Sequence, residues 1–269
     1  MSRKYVYPLL FIIATVLIYY ANNYLDEKER EPSIHEGKQI KETTNRFLLP
    51  SSTTGAVIHH KYYSLSYSEP NEQAEWVAYE LENEQLSQNN FDRPYFEIDE
   101  AVPTKAAHWR NYKNSGYDRG HLCPAGDRRF EKSAYIETFL TSNISPQKHD
   151  FNSGIWNSLE QKVRKWAAAY GSIYVVTGGV LKNISSTIGD EHVAVPNYFY
   201  KIILSETDKG YQSLAFLIPH KNTTTSLTEF VTTIDNIEAL TGIDFFPNLD
   251  DKTENSLEAS KSYSNWNLR

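Results

Sequence analysis

The chain has 269 residues, 40% of them hydrophobic, which is enough for one large domain or two small ones with a well-filled core. Its single cysteine, Cys123, excludes an intramolecular disulfide and a zinc site made of several thiolates. A formal net charge of -7 argues against nucleic acid as a partner, but residues 101–170 contain eleven Lys and Arg against six Asp and Glu. That excess is either chance on a solvated surface or the sign of a cationic cleft.

An uncharged apolar stretch, residues 5–21, follows Arg3 and Lys4 near the N-terminus. As a helix it would be about 25 Å long, near the lower limit for crossing a bilayer. It predicts either a transmembrane anchor or a cleaved signal peptide, with residues 1–4 in the cytoplasm. The protein is then membrane-anchored with its folded domain outside the cytoplasm, or secreted. Residues 22–55 are polar and charged, which indicates a tether.

A folded domain is predicted over residues 56–247. Alternating, β-branched or aromatic residues predict strands over 59–68, 76–82, 172–180, 192–207 and 211–221. Apolar residues at helical spacing predict helices over 153–170 and 226–240. These elements indicate the α+β class, with a central, mainly antiparallel sheet and flanking helices. Residues 248–269 are predicted to form a loose tail.

The stretch SGYDRGHLCPAGDRR, residues 115–129, combines groups that phosphodiester hydrolysis needs. His121 is a natural base, because an imidazole with an ordinary pKa of about 6.5 accepts a proton near neutral pH. Arg119 can bind a phosphate through two hydrogen bonds, and Gly120 lets the backbone approach a substrate closely. The alternative is an ordinary glycine-broken surface loop with an Asp118–Arg119 pair and a solvated histidine.

The helix predicted over 153–170 adds three polar candidates. Asn152 lies just before it, where asparagine is a favoured N-cap, so capping alone would account for this residue. Glu160 and Arg164 follow at a spacing of four on the polar side of the helix. The alternative explanation for them is a surface ion pair worth about 0.3–0.5 kcal/mol.

Five motifs occur in order along the chain: YDRGHLCPAGDRR, TFLTSNISPQ, FNSGIWNSLE, YVVTGGV and HVAVPNYFYKIIL. Through them the chain resembles the DNA/RNA non-specific endonucleases, whose active site is a ββα-metal motif with the sequence DRGH. The resemblance covers roughly residues 57–245. It implies an α+β fold in which the ββα-metal motif forms the active site.

The same resemblance implies a role for each polar group of these motifs. His121 is the general base that activates water, and Asn152 is the direct protein ligand of a divalent metal. The metal is normally Mg²⁺, for which Mn²⁺ is a substitute, and Mg²⁺ often keeps several waters and binds partly through phosphate. Glu160 orients water in the coordination shell of the metal, and Arg164 contacts the phosphate or fixes Glu160.

Further arginines are implied to act on the substrate. Arg119 braces the loop and binds phosphate, and Arg128 is another candidate for substrate binding. Arg93, in FDRPYFEIDE, lies in the region where the family has an arginine that stabilises the transition state. The residues implied to organise the structure near the site are Asp118, Gly120 and Asn143.

The resulting hypothesis is a metal-dependent endonuclease that hydrolyses phosphodiester bonds of DNA and RNA. Low sequence specificity follows because every nucleotide carries the phosphate that such a site recognises. The alternative is a catalytically inactive, nuclease-like module that binds nucleic acid at the cell surface. The implied partners are DNA, RNA and, through the N-terminal helix, a membrane. The resemblance also leaves open a homodimer and an inhibitor protein as partners.

Overall fold

The structure, a computed structural model, describes residues 15–17, 20, 45–87, 89–208 and 210–268. The chain separates into two units, residues 1–39 and residues 40–269. Residues 15–17 and 20 are helical, and the rest of the predicted membrane segment, residues 5–21, lies outside the described residues. Within the described residues no helix is long and apolar enough to cross a bilayer. The predicted transmembrane helix is therefore not found in the part of the chain that the structure describes.

The strands in chain order are Val57–His59 (β1), Ser64–Ser68 (β2), Gln73–Glu82 (β3), Asp118–His121 (β4), Ile144–Gln147 (β5), Ser172–Gly179 (β6), Thr187–Ile188 (β7), Val193–Ala194 (β8), Tyr198–Thr207 (β9), Gly210–Pro219 (β10) and Val231–Thr232 (β11). In the described part of the chain, seven of them form one antiparallel sheet in the order β1-β2-β3-β6-β9-β10-β11. Strands β4 and β5 pair separately, as do β7 and β8.

The α-helices are Lys132–Glu137 (α1), His149–Phe151 (α2), Asn157–Tyr170 (α3), Ile234–Thr241 (α4) and Asp251–Glu258 (α5). A π-helical stretch, Asn152–Trp156, joins α2 to α3 and contains a kink at Gly154, whose angles, φ -96° and ψ -110°, are not helical. Short 3₁₀ helices are Arg46–Leu48, Glu69–Asn71, Asn83–Gln85, Trp109–Tyr112, Ala125–Arg128, Thr141–Asn143 and Leu227–Phe230. The predicted α+β class with a central antiparallel sheet is confirmed.

The sheet is covered by apolar side chains on both faces. Successive residues of a strand point to opposite faces, so Phe199 and Ile203 of β9 join one core cluster while Tyr200 joins the other. The first cluster contains the apolar stripe of α3, namely Leu159, Val163 and Trp166. Helix α4 supplies Ile234 and Ile237 to the second cluster. Each fully buried side chain of this kind contributes about 1.5–3 kcal/mol.

The helix predicted over 226–240 divides into three pieces: the 3₁₀ helix Leu227–Phe230, strand β11 and helix α4. Val231–Thr232 pairs with β10, because two β-branched residues in succession suit an extended strand. Helix α4 begins only after Thr233, whose side chain accepts a hydrogen bond from the backbone of Asn236. The apolar spacing of this segment therefore reflects a strand followed by a shorter helix.

Both ends of the predicted domain extend further than expected. Leu48 is buried and Trp76 donates to the carbonyl of Ser51, so part of the predicted tether packs onto the folded unit. The predicted loose tail, residues 248–269, contains α5, which is capped by Asp250. Trp266 is only 3% exposed and lies 5.3 Å from the ring of Trp166.

Candidate active site

The DRGH sequence forms a strand and not the surface loop that its glycine suggested. Asp118–His121 pairs antiparallel with Ile144–Gln147, with Gly120 opposite Ser145. Strand β5 leads directly through α2 and the π-helical stretch into α3. The two strands and the following helix form the ββα arrangement that the resemblance implied.

Gly120 is required at its position by close packing within this ladder. A Cβ atom built on it would lie 2.2 Å from Cδ of Gln147, a distance that atoms cannot adopt without a shift. Gln147 is fully buried, and neither polar atom of its side chain has a hydrogen-bond partner among the described residues. Only glycine lets the DRGH strand approach its partner this closely.

The imidazole of His121 lies against two aromatic rings. The ring centroids of Phe96 and Phe139 are 5.5 Å and 4.9 Å from that of His121. The Nε2 atom is buried and has no hydrogen-bond partner in the part of the chain that the structure describes. Burial, together with the positive charge of Arg93, lowers the pKa of His121 to about 3. The ring is therefore neutral at physiological pH.

Two arginines share the aromatic rings that hold His121. The guanidinium carbon of Arg93, an exposed residue, is 5.8 Å from the Phe96 ring and 5.5 Å from the Phe139 ring. That of Arg119 is 5.3 Å from the Phe96 ring, and Arg119 also donates to the carbonyl of Trp109 at 3.3 and 3.4 Å. The structure thus brings both predicted arginines to the predicted base.

Asn152 is linked by its side chain to the first residue of the DRGH strand. Its Nδ2 atom donates to Oδ2 of Asp118 at 3.0 Å, and Nδ1 of His149 lies 2.9 Å from the same oxygen. Asn152 has helical angles, φ -60° and ψ -52°, and directly follows α2, while the chain kinks two residues later at Gly154. It is therefore not an N-cap, and capping does not explain the asparagine.

The side chain of Asn152 fits a divalent metal. Because its amide nitrogen is bonded to Asp118, its amide oxygen is the atom left for a cation, and oxygen ligands suit Mg²⁺. Among the described residues, the groups of His, Cys, Asp and Glu close enough to share an ion are Asp235, Glu238 and Glu258, and Asp244, Glu254 and Glu258. Neither group belongs to the ββα arrangement. An amide oxygen alone suits a cation whose other ligands are water and phosphate, as the resemblance implied.

Arg164 and Glu160 lie on α3 but do not pair with each other. Nη1 of Arg164 is 2.7 Å from Oδ1 of Asp127, and the Tyr79 hydroxyl donates to the other oxygen of Asp127 at 2.9 Å. Glu160 is half-buried, and burial raises its pKa to about 7, against the effect of the nearby cation Lys201. The Arg164 guanidinium is therefore held by Asp127, which sequence analysis did not single out.

Two of the predicted site residues, Arg128 and Asn143, are buried and bind backbone atoms of other segments. Arg128 is only 2% exposed and donates to the carbonyls of Tyr62 and Glu80, both at 2.9 Å, so it cannot contact a phosphate. This geometry removes Arg128 from the substrate-binding residues. Asn143 is fully buried and accepts from the backbone nitrogen of Cys123 while donating to its carbonyl, which ties the loop after β4 to the residue preceding β5.

Sequence analysis also missed Phe96, Phe139 and Lys201. A usable signal existed for Lys201, because a lysine interrupts the apolar strand pattern of NYFYKIILS. No local pattern distinguishes Phe96 or Phe139 from ordinary core aromatics. Their importance follows only from their contacts with His121.

Comparison with known proteins agrees with this geometry. Residues 41–252 match the family described as "DNA/RNA non-specific endonuclease". "Nuclease EXOG, mitochondrial" of Danio rerio is 33% identical over 236 residues, which are 81% of this chain and 68% of that protein. "Endonuclease G, mitochondrial" of Homo sapiens is 32% identical over 203 residues, 70% of this chain and 68% of that protein. The chain spans between 56% and 68% of the length of the vertebrate EXOG relatives.

A solved structure is similar as well. The structure described as "Crystal structure of the EndoG/EndoGI complex: Mechanism of EndoG inhibition" superimposes with a TM-score of 0.67 at 32% identity, over 73% of this chain and 88% of that chain. The chain therefore belongs to the DNA/RNA non-specific endonuclease family. The family predicted from the five motifs is confirmed.

The predicted location needs correction. The matched EXOG and Endonuclease G relatives are named as mitochondrial nucleases. No helix in the described ranges could span a membrane. The prediction of a membrane-anchored protein with an extracytoplasmic domain, or of a secreted one, is not retained, and a membrane is removed from the predicted partners.

Proposed function

We propose that this chain is a metal-dependent endonuclease that hydrolyses phosphodiester bonds of DNA and RNA with little sequence preference. The observation that carries the proposal is the 3.0 Å hydrogen bond from Asn152 to Asp118. It joins the helical segment with the predicted metal ligand to the strand with the predicted base, His121. Because the bond uses the amide nitrogen, the amide oxygen of Asn152 is left for Mg²⁺, or for Mn²⁺ in its place.

His121 is the proposed general base that takes a proton from the attacking water. Its imidazole is neutral because burial and the charge of Arg93 lower its pKa to about 3. Its Nε2 atom is buried, so we assign proton transfer to Nδ1. Phe96 and Phe139 hold the ring in one orientation.

Positive charge for the phosphate comes from arginines around this base. Arg93 and Arg119 both lie against the Phe96 ring, where their guanidinium groups can bind phosphate oxygens. When bound at Asn152, Mg²⁺ stabilises charge on the phosphate and on the leaving 3′ oxygen. Glu160 orients water by accepting a hydrogen bond, and Arg164 adds positive potential while it remains paired with Asp127.

DNA and RNA are the proposed substrates, because a site made of arginines and a metal ligand recognises phosphate and not base edges. The similar solved structure is a complex of EndoG with EndoGI that concerns EndoG inhibition, and an inhibitor protein is accordingly a proposed partner of this chain. A homodimer stays a prediction. The presence of His121, Asn152 and Glu160 together speaks against the alternative of an inactive binding module.

The test is cleavage of plasmid DNA and of RNA by the full chain with Mg²⁺, with Mn²⁺ and with a chelator. We expect cleavage of both nucleic acids with the metal and none with the chelator. Replacement of the base, His121→Ala, should lower kcat by about 10²–10⁴-fold. His59→Ala alters an exposed histidine on β1 and should leave the rate unchanged. If the wild-type chain retains DNA but cuts neither substrate under any condition, the inactive binding module is the better function.

A further inference from the structure

A row of alternating aromatic rings and arginines leads away from His121: Phe96, Arg119, Trp109 and Arg110. Phe96 packs against His121 with ring centroids 5.5 Å apart. The guanidinium carbon of Arg119 lies 5.3 Å from the centroid of the Phe96 ring and 5.5 Å from that of the Trp109 ring. The guanidinium carbon of Arg110 is also 5.5 Å from the Trp109 ring. The row therefore connects the proposed base to Arg110.

The far end of this row lies at the surface. Phe96, Arg119 and Trp109 are half-buried, whereas Arg110 is exposed. A guanidinium that packs on an aromatic ring keeps the N–H groups in its plane available for phosphate oxygens. Rows of cations and partly exposed rings are typical of surfaces that follow a nucleic-acid strand. The end of the row is therefore suited to contact a strand that lies across the site.

The 3₁₀ helix Trp109–Tyr112, which carries this end of the row, is held by another segment of the chain. Oε2 of Glu191 accepts hydrogen bonds from the backbone nitrogen of His108, at 2.7 Å, and from the side chain of Asn111. Gly189 has φ +68°, and a Cβ atom built on it would overlap Asn111, so the two segments pack closely. The helix is therefore fixed before a substrate binds, which lowers the entropy cost of binding.

The charges along the row favour a polyanion. Arg93 and Arg119 share the Phe96 ring, and Arg119 and Arg110 share the Trp109 ring. Each ring therefore separates two successive guanidinium groups. A nucleic-acid strand presents negative charges at regular intervals, which such a row of cations can neutralise. The excess of basic residues between positions 101 and 170 thus includes groups that are arranged in order, as expected for a cationic cleft.

We propose that Trp109 and Arg110 extend the substrate site beyond the phosphate that is cut. Arg110 binds a neighbouring phosphate of the same DNA or RNA strand, and the Trp109 ring sets the spacing between Arg110 and Arg119. This inference rests on the proposed function, in which Arg119 and Arg93 bind the reacting phosphate. Because Arg110 recognises the backbone and not a base, its contact adds affinity without sequence preference.

The first measurement is equilibrium binding of labelled single-stranded DNA and RNA to the full chain, with a chelator present to prevent cleavage. Binding is measured at several salt concentrations. Arg110→Ala should weaken the binding of both strands by about 10-fold. The slope of log Kd against log salt should fall by about 0.7, because one phosphate contact to a single strand is lost. Wild-type affinity and slope in Arg110→Ala would overturn the proposal.

Two further variants separate this contact from a general effect of charge. Arg110→Lys keeps the positive charge and should keep the slope. Lys252→Ala removes an exposed cation from α5, which supplies Leu257 to the second core cluster, whereas α3 belongs to the first. This control should bind both strands as the wild type does. An equal loss in Lys252→Ala and Arg110→Ala would reduce the effect of Arg110 to net charge and contradict the assigned contact.

The role of the Trp109 ring is tested by a pair of substitutions. Trp109→Ala should weaken binding because Arg110 and Arg119 lose the ring that they share, and Trp109→Phe should recover most of the loss. Both variants keep the hydrogen bonds from Arg119 to the backbone carbonyl of residue 109. Equal binding by the alanine and phenylalanine variants would show that the ring does not set the spacing.

The second measurement is steady-state cleavage of a long strand and of a dinucleoside monophosphate, which has a single phosphodiester and no neighbouring phosphate. Arg110→Ala should raise KM more for the long strand than for the short substrate. Equal changes of KM and kcat for the two substrates would show that Arg110 only supports the geometry of the site, and this result would contradict the proposal.

Failure of the proposed function can be told apart from failure of this inference. If the wild-type chain binds nucleic acid but cuts none, the nuclease proposal fails, while the binding slopes still accept or reject the contact of Arg110. If the wild-type chain binds neither DNA nor RNA at low salt, both proposals are wrong.

Discussion

Burial acts in opposite directions on the two groups proposed to handle protons. It lowers the pKa of His121, helped by Arg93, and it raises the pKa of Glu160. Both shifts favour the neutral form, which leaves a lone pair on the imidazole for a proton but also makes that imidazole a weaker base. The role proposed for Glu160 in orienting water requires its charged form, which the nearby cations Lys201 and Arg164 favour.

The loss of activity at low pH should therefore follow the protonation of Glu160. An ordinary imidazole would lose activity below about pH 6.5, but His121 stays neutral down to about pH 3. Glu160, with a pKa raised to about 7, gains a proton as the pH falls through that value, and activity should fall with it. The measurement is kcat against pH for the wild type and for Glu160→Gln. The variant should have a lower kcat, and its kcat should not fall further as the pH drops through about 7. A fall of kcat near pH 7 in the variant would show that another group titrates there.

At the scale of single elements, the β4–β5 ladder is the rigid base of the site. The ladder fixes His121 opposite Ile144, and the hydrogen bond between Asp118 and Asn152 then ties the helical segment to the ladder. The whole arrangement depends on the close approach of Gly120 to Gln147. A change at this contact should disturb both strands.

Gly120→Ala is expected to destabilise the protein by about 1–3 kcal/mol, because its new Cβ overlaps the Gln147 side chain. Urea unfolding measures the loss, and kcat should fall with it as the ladder shifts. The double variant Gly120→Ala/Gln147→Ala removes the overlapping atoms and should regain part of the stability. Equal stability of wild type and Gly120→Ala would show that the ladder has more room than the structure indicates.

Elements that depend on neighbouring residues could be predicted from the sequence, whereas contacts between residues far apart in the chain could not. The long strands β2, β3, β6, β9 and β10 and helix α3 follow from short-range periodicity, whereas β4, β5, β7 and β11 were not predicted as strands. DRGH with Asn152, Glu160 and Arg164 follows from ordered motifs. The partner of Arg164, Asp127, is 37 positions away in the chain, and no local pattern links the two. The burial of Arg128 could not be predicted from the sequence either, because it depends on the carbonyls of Tyr62 and Glu80, which belong to other segments.

At the scale of the whole molecule, the C-terminal residues pack against helix α3. Trp266 packs at 5.3 Å from Trp166 and 5.1 Å from Tyr170, both on α3. The last residues thus cover the helix that carries Glu160 and Arg164. The stability of the site therefore depends on residues 248–269, which were predicted to form a loose tail.

Trp266→Ala should cost about 3–5 kcal/mol of unfolding free energy, because it removes a large side chain that is 3% exposed. Tyr263→Ala is the control, since Tyr263 lies in the same segment but is 43% exposed, and should change stability by about 0.5 kcal/mol or less. Urea unfolding of both variants gives the comparison. Similar midpoints for the two variants would indicate that the segment is not part of the folded unit.

The amino-acid sequence by itself determined the class, the family and the identity of most candidate residues, because periodicity and ordered motifs are properties of neighbouring positions. Only the tertiary structure decided which arginines face His121, that Arg128 is buried, and that Lys201 lies fully buried in the core. Those outcomes depend on burial and on charges brought together from distant segments, and the electrostatic effect of a residue is set by its distance in space and not by its place in the chain.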